Sequence, residues 1–156
     1  MSELFKQALQ AQLANDLSHA LKLYKQILIS EPAHKDCLFN AGLICVQTQD
    51  FYQAIHFLEQ AISIQKNAAI CSLLGLSYMN TQQSKKAIAY YQEAIIFDDQ
   101  EYMAHNHLGI LYCQNNEYKK GIQYLKKAIQ INPHEYAALS DLGMALMQQG
   151  EYQQAA

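Results

Sequence analysis

Four glycines recur along the chain at an almost constant interval: Gly42, Gly75, Gly109 and Gly143 are separated by 33, 34 and 34 residues. A second row of small residues lies twelve positions after each glycine, at Ala54, Ala87, Gly121 and Ala155, and a third lies seven further on, at Ala61, Ala94 and Ala128. Ala8, Ala20 and Ile27 bring the first stretch into the same register. A fixed period of this length signals one supersecondary unit used repeatedly, because each copy exposes a hydrophobic face that only a stacked neighbour can cover. Aligning on the rows divides the 156 residues into units 1–34, 35–67, 68–101, 102–135 and an incomplete 136–156.

Each full unit reads as two amphipathic helices. In the second, FNAGLICVQTQD leads into FYQAIHFLEQAISI; in the fourth, HNHLGILYCQNNE leads into YKKGIQYLKKAIQI. Apolar residues in these segments recur three and four apart, the period of one helix face. Asn15, Asn116 and Gly150 stand where first helices are expected to end, and both residue types tolerate the left-handed conformation such an end requires. Gln49 and Gln82 hold the same place in the other units, so those turns are expected to close differently or to fray. Ser84 is the expected cap of the helix that follows it. Pro32 and Pro133, the only prolines, follow second helices and stop them.

The small rows have a packing rationale. Antiparallel helices joined by a short turn approach to roughly 8–10 Å, and the near end of that range needs small residues at the crossing. Gly or Ala on the first helix is expected to face Ala on the second, with Leu74, Leu108 and Leu142 beside the glycines and Tyr24, Leu58, Tyr91 and Leu125 on the second helices sealing the contact. A mid-helix glycine costs about 1 kcal/mol of propensity relative to alanine, a cost that only packing offsets.

These rows resemble the tetratricopeptide repeat, a helix–turn–helix unit of about 34 residues with Leu-Gly, Tyr, Ala, an aromatic, Ala and a closing Pro. Leu108, Gly109, Tyr112, Gly121, Leu125, Ala128 and Pro133 follow the pattern in the fourth unit, and Leu74, Gly75, Tyr78, Ala87, Tyr91 and Ala94 in the third. Gly121 replaces an alanine and is expected to weaken its helix; Lys66 and Asp99 replace the closing proline, and Ile27 fills a small slot. The resemblance implies an all-α, right-handed superhelical solenoid whose first helices line a concave groove that holds a protein or peptide, with no cofactor.

By that analogy the groove row after the glycines is Leu9, Leu43, Leu76, Ile110 and Met144, with Val46, Met79, Cys113 and Met147 one turn further. One turn earlier lie Phe5, Phe39 and Asn106, and beside them Asn40, His107 and Asp141. The surface is largely apolar. Relatives that clamp a terminal carboxylate need asparagine and arginine where this chain has aliphatic residues and no arginine. Of the asparagine ladder found in large sugar transferases with similar arms, only Asn40 is left, with His107 and Asp141 as polar stand-ins. The expected occupant is therefore an apolar helix or extended segment of a partner, gripped in part by adaptable methionines.

Other chemistries are disfavoured. All eleven cations are lysines, so the planar fork that reads phosphates and guanines is missing, and nucleic acid is not an expected partner. Cys37, Cys45, Cys71 and Cys113 show no CxxC spacing and fall inside helical patterns, reading as buried free thiols of a reducing, cytoplasmic setting. His105 is expected in a core slot and His107 in the groove, pointing apart, which disfavours a metal site. Glu59, Glu93, Asp98 and Asp99, and the lysine pairs 85–86, 119–120 and 126–127, read as solvated outer faces. No segment approaches the roughly 20 apolar residues of a membrane span, so no membrane insertion is expected. The fifth unit stops as its second helix begins, leaving Leu139, Leu142 and Leu146 little covered. The chain is thus expected either to be the N-terminal part of a longer bacterial protein or to self-associate. The leading expectation is a non-enzymatic interaction scaffold. The alternatives are the substrate-recruiting arm of a larger glycosyltransferase or methyltransferase, and a chaperone for a secretion or pilus subunit.

Overall fold

The computed structural model describes residues 2–155. Among these are nine helices and no strand: α1 (Glu3–Leu13), α2 (Leu17–Ser30), α3 (Lys35–Gln47), α4 (Phe51–Ile64), α5 (Ala68–Asn80), α6 (Ser84–Phe97), α7 (Tyr102–Gln114), α8 (Tyr118–Ile131) and α9 (Tyr136–Ala155). Odd and even helices pair as antiparallel hairpins, and each even helix also packs on the odd helix that follows. The odd helices α3, α5, α7 and α9 additionally touch one another in succession, whereas the even helices pack on odd helices rather than on each other. A stack whose members crowd on one side and splay on the other curves, and the crowded side is the concave one. The molecule is an all-α repeat solenoid, and α1, α3, α5, α7 and α9 form its inner layer.

All four turns inside the hairpins close alike. Asn15, Gln49, Gln82 and Asn116 adopt positive φ of 60°, 61°, 61° and 64°. After α3, Gln49 N–H donates to the Val46 carbonyl at 3.0 Å and Asp50 N–H to the Cys45 carbonyl at 2.8 Å, and the same pair of bonds follows α1, α5 and α7. This double closure satisfies carbonyls that a helix end leaves orphaned. The expectation that the glutamine turns would differ is therefore wrong. Two turn bonds and the packing of the next helix outweigh the roughly 1 kcal/mol that a side chain pays in the left-handed region.

The caps do differ. Asp16 and Asp50 accept from the backbone N–H of His19 and Gln53 at 3.1 and 3.2 Å, and Asn67 accepts from Ile70 N–H at 2.9 Å. Ser84 is not a cap: it is the first residue of α6, and Gln83 in the capping position makes no side-chain bond to the helix. Gln83 instead donates to Thr81 Oγ1 at 3.1 Å. Gln83→Asp is expected to reproduce the Asp16 and Asp50 caps and to raise stability by about 1 kcal/mol, read as a higher urea midpoint at unchanged slope.

The inner-helix glycines face large side chains rather than the alanine row. A Cβ on Gly42 would stand 2.6 Å from Leu58 Cγ, one on Gly75 2.7 Å from Tyr91 Cε1, and one on Gly109 2.5 Å from Leu125 Cγ. At Gly109 the second small row does take part, since the Gly121 carbonyl lies 3.0 Å away. Gly121 is required by its neighbours, because a Cβ there would meet Cys113 Sγ at 2.4 Å and the Gly109 carbonyl at 2.7 Å. The residue that sequence reasoning marks only as a weak point in α8 thus makes room for the Cys113 side chain.

Stacked tyrosines join the two helices of the third and fourth hairpins. Tyr78 and Tyr90 stack at 5.5 Å with planes 4° apart, and Tyr112 and Tyr124 at 5.5 Å and 10°. Lys86 and Lys120 cover the Tyr78 and Tyr112 rings, their Nζ 4.7 and 3.9 Å from the centroids. Each inner tyrosine then reaches back one unit: Tyr78 donates to Glu59, and Gln92 Nε2 donates to Tyr112 at 2.9 Å. Glu59 and Glu93 are consequently not merely solvated, Glu93 pairing with Lys66 at 2.7 Å.

The last unit departs from expectation. No turn occurs at Gly150; α9 continues as one helix to Ala155. Nothing lies within 4 Å of a Cβ built on Gly143 or Gly150. With no outer helix returning across Gly143 among the described residues, no contact repays a left-handed turn, and the local preference for helix carries through. The side chain of Ala155 lies outside the described residues, as does Ala156.

Candidate functional site

The inner layer of helices presents a concave face, the candidate surface of the fold. Leu9, Leu43, Leu76 and Ile110 follow the small row on successive inner helices and are all half-buried, as are Val46 and Met79 one turn on. Leu9, Val46, Leu76, Met79 and Ile110 pack on the core while remaining partly accessible. Phe39, also half-buried, opens onto a cleft of about 320 Å³ shared with Asp36, Ala61, Gln65, Asn67 and Ala69. Ala68 and Ala69 make this space by being small, a signal that period-matching of large apolar residues misses. Met144 and Met147 continue the rows on α9 and are exposed, at 53% and 68%.

Several expected groove residues belong elsewhere. Phe5 is core: it is 6% exposed, meets Tyr24 edge-on at 5.9 Å and stacks on His34 at 5.2 Å. Cys113 is buried with Ile122, Leu125 and Ala145, because Gly121 leaves a notch that the thiol fills. Asn106 is buried too, but its amide reaches the α9 surface, with Nδ2 donating to Asp141 Oδ2 at 3.4 Å.

Asn40 and His107 have an internal task. Tyr24 and Tyr91, on α2 and α6, are fully buried, and a phenol in such a place needs a partner. The Tyr24 hydroxyl donates to Gln12 Oε1 at 2.8 Å, and while burial pushes the phenol up, the nearby Asn40 side chain acts in the other direction. The Tyr91 hydroxyl and His107 Nδ1 hydrogen-bond at 2.9 Å. At the corresponding places on α4 and α5 stand Leu58 and Leu73, both in the apolar core. Polar residues are thus matched with tyrosine and leucine with leucine. What resembles the remnant of an asparagine ladder is a set of buried phenol partners.

At the fourth junction the match fails. Leu125 is opposed by Asp141, and the two line a cleft of about 150 Å³ with Ile110, Cys113, Met144, Ala145 and Gln148. Around Asp141 the polar groups are incompletely paired: Asn106 Oδ1 and the Tyr102 hydroxyl are buried without a hydrogen-bond partner. Burial first, then Glu135 and Asp141, push the Tyr102 phenol up. Burial pulls His107 below its ordinary 6.5 even though Asp141 acts in the other direction, so the imidazole is neutral at pH 7.

The buried cysteines are not activated. Burial is the main cause that pushes Cys37 up to about 12 and Cys45 and Cys71 to about 11, leaving them as thiols rather than reactive thiolates. His105 is buried, as expected for a core slot, and its Nε2 donates to the Asp99 carbonyl at 3.0 Å. Among the described residues no three His, Cys, Asp or Glu side chains cluster as a metal site, and no helix is long and apolar enough to cross a membrane.

A curved stack of helical hairpins with an accessible inner face defines a repeat module of the protein-interaction scaffold class. Models of the tetratricopeptide repeat match residues 36–67, 68–98 and 102–135, and the chain belongs to that family. Comparison with curated protein sequences gives no significant match. Among solved structures, the MamA protein superposes with a TM-score of 0.87 at 23% identity, over 99% of this chain and 87% of that one. YrrB, described as a TPR protein with an unusual peptide-binding site, gives 0.82 at 18% identity over 94% and 76%. A tetratricopeptide repeat protein from Parabacteroides merdae gives 0.83 at 23% over 97% and 60%. At these identities the likeness establishes the fold.

Proposed function

We propose that the concave face holds a segment of a partner protein against the row Leu9, Leu43, Leu76 and Ile110, with Phe39, Val46 and Met79 flanking it, and that the chain acts by this binding without catalysing a reaction. The observation that carries the reading is that aliphatic side chains remain half-exposed along the inner layer while the positions around them are buried. A continuous apolar stripe between packed helices suits a partner helix or strand laid along it. The row also supports stacking between units, so the test must separate binding from folding.

Leu43→Asp with Leu76→Asp is expected to abolish capture of the partner in a pull-down read by mass spectrometry. Ile29→Asp with Ile96→Asp, at outer positions 83% and 81% exposed, is expected to leave capture intact. Helical content by circular dichroism is expected to persist in both. Equal capture by both variants would overturn the reading. A secretion or pilus subunit and the protein substrate of a transferase would occupy the same stripe, and the captured sequence distinguishes them. The exposed Leu139, Leu146 and Met147 of α9 further support self-association of the chain, for which sedimentation velocity should show a sedimentation coefficient that rises with concentration.

A further inference from the structure

Among the described residues, Asp141 is a polar junction residue with no buried tyrosine across from it. Its counterparts Asn40 and His107 answer buried tyrosines and Leu73 answers a leucine, but Asp141 stands across from Leu125 in a mostly apolar cleft. No lysine pairs with it among the described residues; its hydrogen bond is the long one from Asn106. Asn106 is itself 7% exposed and keeps a buried, unpartnered Oδ1, and the Tyr102 hydroxyl is likewise unpartnered. A half-buried carboxylate in a mostly apolar cleft is costly unless a counter-charge completes it. The Asn106 Oδ1 and the Asp141 carboxylate are acceptors, so a donor is what the carboxylate lacks, and its charge makes that donor a cation. The cleft, at about 150 Å³, is well below the roughly 300–1,000 Å³ of a small-molecule site and suits a single side chain, with Ile110 and Met144 available to the aliphatic part of a long basic residue.

We propose that the α7–α9 end of the concave face recognises a lysine or arginine side chain of the partner segment, with Asp141 as counter-ion, held by Asn106 from behind, and Ile110 and Met144 along the aliphatic stem. This rests on the concave-face reading and gives the partner its chemistry: an apolar segment bearing one basic residue at its α9 end. The polarity is opposite to that of a carboxylate clamp, in agreement with the net charge of -3.

The test is selection of binders from a random peptide library displayed on phage, using the wild-type chain, Asp141→Asn, Asp141→Lys and the Leu43→Asp/Leu76→Asp pair. Wild type is expected to enrich apolar peptides with a basic residue at one fixed place. Asp141→Asn should lose that preference while keeping the apolar one, and Asp141→Lys should exchange it for Asp or Glu. For a selected peptide, norleucine in place of the basic residue should weaken binding about tenfold or more, as for loss of a desolvated charge pair. Enriched peptides without a basic position, or a basic preference unchanged in Asp141→Lys, would overturn the proposal and leave the apolar stripe standing. Enrichment of nothing by wild type would overturn both. Basic peptides that still bind the Leu43/Leu76 pair but not Asp141→Lys would support the cation site and remove the stripe.

Discussion

Gly75→Ala is expected to destabilise the chain by about 3 kcal/mol, although alanine is the better helix former by about 1 kcal/mol. The added carbon would meet three atoms of the Tyr91 ring at 2.7–2.9 Å. The ring cannot rotate away, because its hydroxyl is held by His107 and its body is wholly buried. α5 and α6 must therefore separate, which also disturbs the Tyr78–Tyr90 stack between them. The same substitution at Gly143, where nothing lies within 4 Å, is expected to stabilise by up to about 1 kcal/mol. Chemical denaturation of the two variants gives the comparison. Similar shifts in both would mean that the repeating glycines are not steric notches.

The second large effect concerns the Tyr91–His107 pair. Tyr91→Leu removes a buried ring and orphans His107, with an expected loss of about 3–4 kcal/mol. His107→Leu leaves a buried hydroxyl unpaired, at about 1–3 kcal/mol. The double variant reproduces the Leu58–Leu73 arrangement of the preceding junction, so its loss is expected to fall short of the sum by at least about 1 kcal/mol, as for residues that share an interaction. Strict additivity would refute the pairing rule. The wild-type pair also makes the fold acid-sensitive. Because burial lowers His107 and His105 from 6.5, the unfolded chain binds protons more readily than the folded one. Stability is full above pH 6.5 and declines as the pH falls from there through the folded-state values. The decline should be smaller in the double variant.

The periodic spacing of small residues reveals the hairpins, their order and their stacking, because close helix approach leaves few options at those positions. It does not reveal what each position contacts. Gly75 faces Tyr91 rather than an alanine, and Gly121 accommodates Cys113, because crossing geometry shifts the contact by about a turn from simple row-to-row pairing. Gln49 and Gln82 are turns by tertiary demand rather than by residue preference. The inner stripe is legible from Leu9, Leu43, Leu76 and Ile110, which follow the row at a fixed offset. Phe5 and Cys113 share that offset arithmetic but are drawn into the core by His34 and by the Gly121 notch, neighbours that no single-helix pattern contains. Asp141 is visible in the sequence only as a polar stand-in; its significance requires knowing that Leu125 lies across from it.

Each hairpin touches its immediate neighbours and little else, which gives the molecule the mechanics of a coil spring rather than of a ball. No distant parts of the chain need to find one another during folding, which favours rapid local assembly. Whole units can be added or lost in evolution without opening a shared interior, since each joint is packed by its own side chains. A small change in angle at any joint accumulates along the stack, so the width of the inner face can change through many slight bends without unfolding a single helix.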